Sequence, residues 1–174
     1  MKEMISPDEL IIEKLTEDHD VSKFDCGDDE LNGFLCENSL PEMKAQMNVT
    51  YVCKYESTIV SYFTLSSDSI KLTTEDQIHF EKKGIGYRQF PALKIGRLAV
   101  DEKFKNRGVG AEIILRVVGC IFRLSDRVGM RFISVDSYVD SADFYRKNNF
   151  IELVKRNRKK GYTAMYFDPF RPYD

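Results

Sequence analysis

Leu98-Ala99-Val100-Asp101-Glu102-Lys103-Phe104-Lys105-Asn106-Arg107-Gly108-Val109-Gly110-Ala111 opens as a short apolar strand and continues as a basic loop punctuated by glycine. At the second glycine it becomes an amphipathic helix. Gly108 and Gly110 let the backbone approach an anion closely and adopt torsions that a side chain would forbid. A helix N-terminus leaves backbone N–H groups unpaired, and they face such an anion together with the positive end of the dipole. Lys105 and Arg107 add charge. The stretch therefore reads as a cradle for a diphosphate-bearing cofactor.

The helix after the loop is supported by its periodicity. Ile113, Ile114, Val117, Val118, Ile121 and Phe122 recur in pairs every four residues, with Glu112, Arg116 and Arg123 on the other face. A plain core helix behind a tight turn would explain that periodicity but not the basic loop. Gly108-x-Gly110 lacks the third glycine of the dinucleotide fingerprint, and nothing matches the loop of nucleotide triphosphatases.

Working outward, 174 residues suit one domain, 1–174, with a sizeable core. No run of 18 or more apolar residues is present, so no membrane span is expected. No apolar signal-peptide core follows Met1, and a cytoplasmic protein is expected. Cys26, Cys36, Cys53 and Cys120 are scattered, which argues against zinc or any other metal and for buried free thiols in a reducing compartment. Residues 1–42 hold 13 acidic and 3 basic side chains, a balance of −10, and residues 43–174 a balance of +8. An acidic first segment on a basic body fits an anionic ligand at the body, and ordinary solvated charge fits equally well.

Leu10–Leu15 reads as a first strand. Asp28-Asp29-Glu30 opens a helix carrying Leu31, Phe34 and Leu35 on one face. Pro41 is expected to break it, with a second helical piece at Glu42–Gln46. Val49–Tyr55 and Ile59–Leu65 are rich in β-branched and aromatic residues and predict a hairpin around Glu56-Ser57-Thr58. Residues 73–91 read as a short helix in a loop, and Leu93–Val100 as a strand with a bulge at Gly96. Arg131–Asp136, Phe150–Val154 and Tyr162–Phe167 read as strands, and Ser141–Asn148 as a helix. This order predicts one α/β layer domain with a mixed sheet.

Two motifs carry a family resemblance. Lys105-x-x-Gly108-x-Gly110 resembles the acetyl-coenzyme A loop of the GNAT superfamily of N-acetyltransferases, with Lys105 where Arg or Gln is usual. Tyr145 and Phe150 match the family's tyrosine and following phenylalanine, and Asn149 replaces its glycine. Asn is the next best residue at a left-handed helix cap. The resemblance implies a mixed, mostly antiparallel sheet with splayed fourth and fifth strands and flanking helices. It implies an acetyl-coenzyme A cofactor held by Leu98, Ala99, Val100, Lys105, Asn106, Arg107, Gly108, Val109, Gly110 and Ala111. The N–H of Val100 would polarise the acetyl group, and Tyr145 would donate a proton to the departing thiolate. The chemistry agrees, because a phenol of pKa about 10 is protonated at neutral pH and can reprotonate a thiolate of pKa about 8.5. A tyrosine that merely packs its helix is the alternative. Asp101, Glu102 and Asp136 are the carboxylates near enough in sequence to relay a proton.

Phe24-Asp25-Cys26-Gly27, then Leu31-Asn32, then Phe34-Leu35 narrows the resemblance to toxins of bacterial toxin–antitoxin modules that acetylate aminoacyl-tRNA. That implies an α-amine acceptor, a ribbon-helix-helix antitoxin as partner, and leaves a homodimer open. An aminoacyl ester amine is partly neutral at physiological pH and needs no strong base. Lys155, Arg156, Arg158, Lys159 and Lys160 would contact phosphates, as would Lys82, Lys83, Arg88, Lys94 and Arg97. A solvated hairpin tip is the other reading of 155–160. A small-molecule or protein amine acceptor stays open, as does a non-catalytic coenzyme A-binding module, although a binder needs no proton donor at Tyr145.

Overall fold

The computed structural model describes residues 2–153 and 161–171. Seven strands follow the order β1-β2-β3-β4-β5-β7-β6 in one sheet. They are β1 (Ile11–Lys14), β2 (Val49–Tyr55), β3 (Thr58–Ile70), β4 (Phe90–Val100), β5 (Phe132–Tyr138), β6 (Ile151–Glu152) and β7 (Tyr162–Phe167). The helices are α1 (Asp29–Gly33), α2 (Ser39–Lys44), α3 (Thr74–Glu81), α4 (Val109–Ser125) and α5 (Ala142–Lys147). The α/β class and mixed sheet agree with the sequence. Among the described residues no helix is long and apolar enough to cross a membrane. The chain divides into two compact units, Met1–Ser66 with Ile95–Val117, and Ser67–Lys94 with Val118–Asp174.

In the first unit β1 pairs antiparallel with β2, and β2 with β3. The β2–β3 turn is tighter than its sequence suggests. Only Glu56 and Ser57 lie outside the strands, at φ 46° and 67°, the left-handed pair that matches strand twist in a two-residue hairpin. Leu15, Phe24, Phe34, Leu35, Val52, Tyr62 and Ala99 share one buried cluster. Tyr62 is its centre, stacked on Phe34 at 6.0 Å and edge-on to Phe24 at 5.5 Å. Its hydroxyl donates to the Leu31 carbonyl at 2.7 Å, so the ring buries without stranding its polar end.

Pro41 does not break the helical run. A π-helical turn, Phe34–Asn38, precedes α2, and the Ser39 N–H reaches back to the Phe34 carbonyl. The Leu35 carbonyl, passed over by that wider turn, accepts from Ser39 Oγ at 2.6 Å instead. Pro41 then falls in the first turn of α2, where a helix tolerates a missing N–H.

The second unit packs Ile70, Leu72, Phe80, Phe90, Ala92, Phe132 and Tyr166 into its own cluster. β7 pairs antiparallel with both β5 and β6. Along α4, Ile113, Ile114, Val117 and Ile121 are buried as their spacing predicts. Phe122 departs from that reading at 45 % exposure, its ring resting on Phe170 at 4.8 Å. The thiols also depart in part, since Cys26 and Cys53 are buried while Cys36 is exposed and Cys120 half-buried. The basic run Lys155, Arg156, Arg158, Lys159 and Lys160 lies outside the described residues.

Candidate active site

The end of β4 is held by three ties within the first unit, two from β3 and one from another segment. Ser61 Oγ donates to the Ala99 carbonyl at 2.5 Å, and the Asp101 N–H donates to the Val60 carbonyl at 2.9 Å. The third tie is the segment around Asp25. Asp101 Oδ2 accepts the Asp25 N–H at 3.1 Å and Oδ1 accepts the Lys103 N–H at 2.9 Å. The Glu102 N–H returns a bond to the Asp25 carbonyl at 2.9 Å. Asp25 is itself held, because its Oδ1 accepts from the Gly27 N–H at 2.8 Å and from Asn32 Nδ2 at 2.9 Å. Those donors hold its carboxyl below the usual carboxylate range. Asn32 Oδ1 accepts the Cys26 N–H at 3.0 Å. The Phe24-to-Phe34 motif is therefore a brace that presents the strand end and the loop after it.

This geometry removes Asp101 from the proton-relay candidates. It is 4 % exposed and both oxygens serve backbone N–H groups, so it is a cap. Asp136 in the second unit pairs with Lys94 Nζ at 2.7 Å. Glu102 stays exposed, 3.6 Å from Lys105 Nζ.

In the loop, Asn106 and Gly108 take left-handed torsions, φ 64° and 84°. The Gly108 carbonyl accepts the Glu112 N–H at 3.1 Å, the first bond of α4. The N–H groups of Val109, Gly110 and Ala111 precede that bond and lack helical acceptors. Val109 turns its side chain into the core at 1 % exposure. The structure thus brings Val109, Gly110 and Ala111 together as a backbone donor array. Lys105 and Arg107 are engaged elsewhere. Lys105 Nζ donates to the Cys26 carbonyl at 2.7 Å. Arg107 Nε donates to the Glu3 carbonyl at 2.9 Å, with its guanidinium 5.5 Å from the rings of Tyr55 and Phe104. Both side chains tie the loop to neighbouring backbone carbonyls.

Leu98 and Val100 are half-buried and Ala99 is buried. Beside them, Gly96 allows close approach to β3, since a Cβ there would lie 2.8 Å from Thr64 Oγ1. The same oxygen accepts the Arg97 N–H at 3.0 Å.

Tyr145 belongs to the second unit, on α5. It is 5 % exposed, edge-on to Phe144 at 5.0 Å and to Phe150 at 5.3 Å. Its carbonyl accepts the N–H groups of Asn148 and Phe150, each at 3.0 Å. Asn149 stands at φ 67°, the left-handed position that its sequence place predicts. Burial pushes the Tyr145 phenol well above its ordinary pKa, so it stays protonated. Among the described residues its hydroxyl makes no hydrogen bond. Among the described residues no group of three or more His, Cys, Asp or Glu could hold a metal ion.

The roles of Asp25, Asn32 and Asp101 as braces were not evident from sequence, although the Asp-x-Gly turn at 25–27 was a usable signal. No protein-family model matches the chain. A tRNA-acetylating toxin of Mycobacterium tuberculosis (strain ATCC 25618 / H37Rv) is 25 % identical over 133 residues, 74 % of this chain and 76 % of that protein. Among solved structures, AtaT complexed with acetyl-methionyl-tRNAfMet superposes with a TM-score of 0.79 at 26 % identity, covering 91 % of this chain and 94 % of that one. AtaTR bound with acetyl-coenzyme A gives 0.76 at 27 % identity, covering 93 % and 95 %. A tyrosine-to-phenylalanine mutant of AtaT bound to the C-terminus of the antitoxin AtaR gives 0.75 at 25 % identity, covering 92 % and 94 %.

Proposed function

We propose, on the premise that the chain is a GNAT-type N-acetyltransferase similar to the tRNA-acetylating toxins, that it acetylates the α-amine of aminoacyl-tRNA and so blocks translation. The observation that carries this reading is the match to AtaT with acetyl-methionyl-tRNAfMet across 91 % of the chain. The two units then act as one acetyltransferase domain, 1–174.

Acetyl-coenzyme A supplies the acetyl group. The N–H groups of Val109, Gly110 and Ala111 bind its pyrophosphate, with Lys105, Asn106, Arg107 and Gly108 fixing the loop. Leu98, Ala99 and Val100 offer strand backbone to the pantetheine amides, and the Val100 N–H supports the carbonyl oxygen as charge develops there. The amine would attack the thioester carbon, the C–S bond would break as Tyr145 gives its proton to the sulfur, and the proton shed by the new amide nitrogen would pass through solvent and restore the phenol. Asp101 is assigned no role as base, because it is a buried cap with each oxygen held by a backbone donor. A free aminoacyl amine, neutral in part at physiological pH, does not require one. The partners under this reading are charged tRNA and an antitoxin of the ribbon-helix-helix class, and the place of action is the cytoplasm.

Incubation with acetyl-coenzyme A and charged tRNA, beside a panel of polyamines and peptides, tests the reading. Acetylation of charged tRNA in preference to the panel supports it. Transfer to a small or peptide amine alone replaces it with the general amine acetyltransferase.

A further inference from the structure

Arg97 on β4 is a half-buried cation. Its backbone N–H is taken by Thr64 Oγ1. Its guanidinium lies 3.7 Å above the centroid of the Phe34 ring. Among the described residues that guanidinium makes no hydrogen bond and no ion pair. A guanidinium carries five N–H donors and no acceptor, and a ring face attracts the charge without accepting those donors in their plane. The neighbouring cations differ. Lys105 donates to the Cys26 carbonyl, Arg107 to the Glu3 carbonyl, and Arg116 pairs with Glu112. Lys94 pairs with Asp136. Lys82, Lys83 and Arg88 are exposed, so water serves them.

The ring beneath Arg97 is itself fixed. Phe34 begins the π-helical turn and stacks on the buried Tyr62. Turns of that kind recur at functional sites. The guanidinium plane is thus pre-set with donors free, the arrangement that suits a bidentate oxyanion.

Its place on β4 selects which anion. Arg97 precedes Val100 by three residues, about 10 Å along a strand. The chain leaves Val100 in the opposite direction for the loop and the donors of Val109, Gly110 and Ala111. A cofactor with its pyrophosphate on those donors and its acetyl group at Val100 leaves Arg97 to the acceptor side. In an aminoacyl-tRNA whose α-amine sits at Val100, the phosphate on the 5′ side of the terminal ribose is the first anion back along the acceptor strand. The covalent chain between that amine and that phosphate spans a comparable length. Resting on the substrate reading above, we infer that Arg97 holds a phosphate oxygen of the acceptor-end nucleotide, with Phe34 fixing the guanidinium plane.

The test is acetylation of charged tRNA by wild type, Arg97→Ala and Arg97→Lys from about 50 to about 200 mM salt. Arg97→Ala is expected to raise KM about tenfold while kcat stays near wild type, and to flatten the slope of log(1/KM) on log salt by about 0.7–0.9. Arg97→Lys keeps the slope and recovers part of the KM. Acetyl-coenzyme A affinity, measured by calorimetry, is the same in all three. An unchanged slope in Arg97→Ala overturns the inference. So does a joint loss of acetyl-coenzyme A affinity and Tm, which would make Arg97 a packing residue. If wild type leaves charged tRNA unmodified, the substrate reading itself has failed, an outcome distinct from either.

Discussion

At position 145 a phenol sits 5 % exposed between two aromatic edges, and burial raises its pKa. Burial keeps the phenol in its protonated form, the form the proposed acid role requires, while making it a weaker acid. Tyr145→Phe keeps the ring contacts and removes only the hydroxyl, so acetyl-coenzyme A affinity should hold while turnover falls about 10²–10⁴-fold. Growth arrest on expression should vanish with it. Full turnover in that variant would assign the proton to another group. A second expectation concerns pH and stability. The folded pKa values of Tyr145 and Tyr166 lie above the unfolded value of about 10, by burial in both and also by the bond to Asp76 for Tyr166. Folding therefore favours their neutral forms. That contribution is complete below about pH 10 and is lost as pH rises toward the folded values. Tm should fall above about pH 10, and less steeply in Tyr166→Phe. A wild-type Tm flat through that range would contradict the assignment. The left-handed cap at Asn149, after Tyr145, was legible in sequence because its signal is local. Asp101 was not, because its capping role depends on Asp25, distant in sequence.

At the scale of elements, the unit that matters is β4, its loop and α4. The glycine spacing and the period of α4 announced it. The engagement of Lys105 and Arg107 did not, since their acceptors are carbonyls of Cys26 and Glu3 that no motif pairs with the loop. Pro41 was misread because the π-helical turn before it was not legible, and that turn leaves the proline in the first turn of α2. Gly110 stands among the donors that the account assigns to pyrophosphate. Gly110→Glu places a carboxylate at the helix start, where the dipole accepts it but a bound diphosphate does not. Acetyl-coenzyme A binding should be abolished while far-UV circular dichroism and Tm stay near wild type. Wild-type affinity in the folded variant would sink the cofactor assignment.

For the whole molecule, the class and the order of its strands followed from alternating runs of β-branched and aromatic residues. Their lengths did not, as β3 runs on to Ile70 and β6 comprises Ile151–Glu152. Strand ends depend on which neighbour continues the ladder, and that is a tertiary fact. The acceptor is a property of the molecule rather than of any motif, and the central claim is that charged tRNA is that acceptor. The most direct measurement is mass spectrometry of the 3′-terminal aminoacyl-adenosine released by nuclease from charged tRNA after incubation with the protein and acetyl-coenzyme A. The account predicts a mass gain of one acetyl group on the α-amine, dependent on acetyl-coenzyme A and absent with Tyr145→Phe. An unmodified aminoacyl-adenosine, from wild-type protein shown by calorimetry to bind acetyl-coenzyme A, would contradict it.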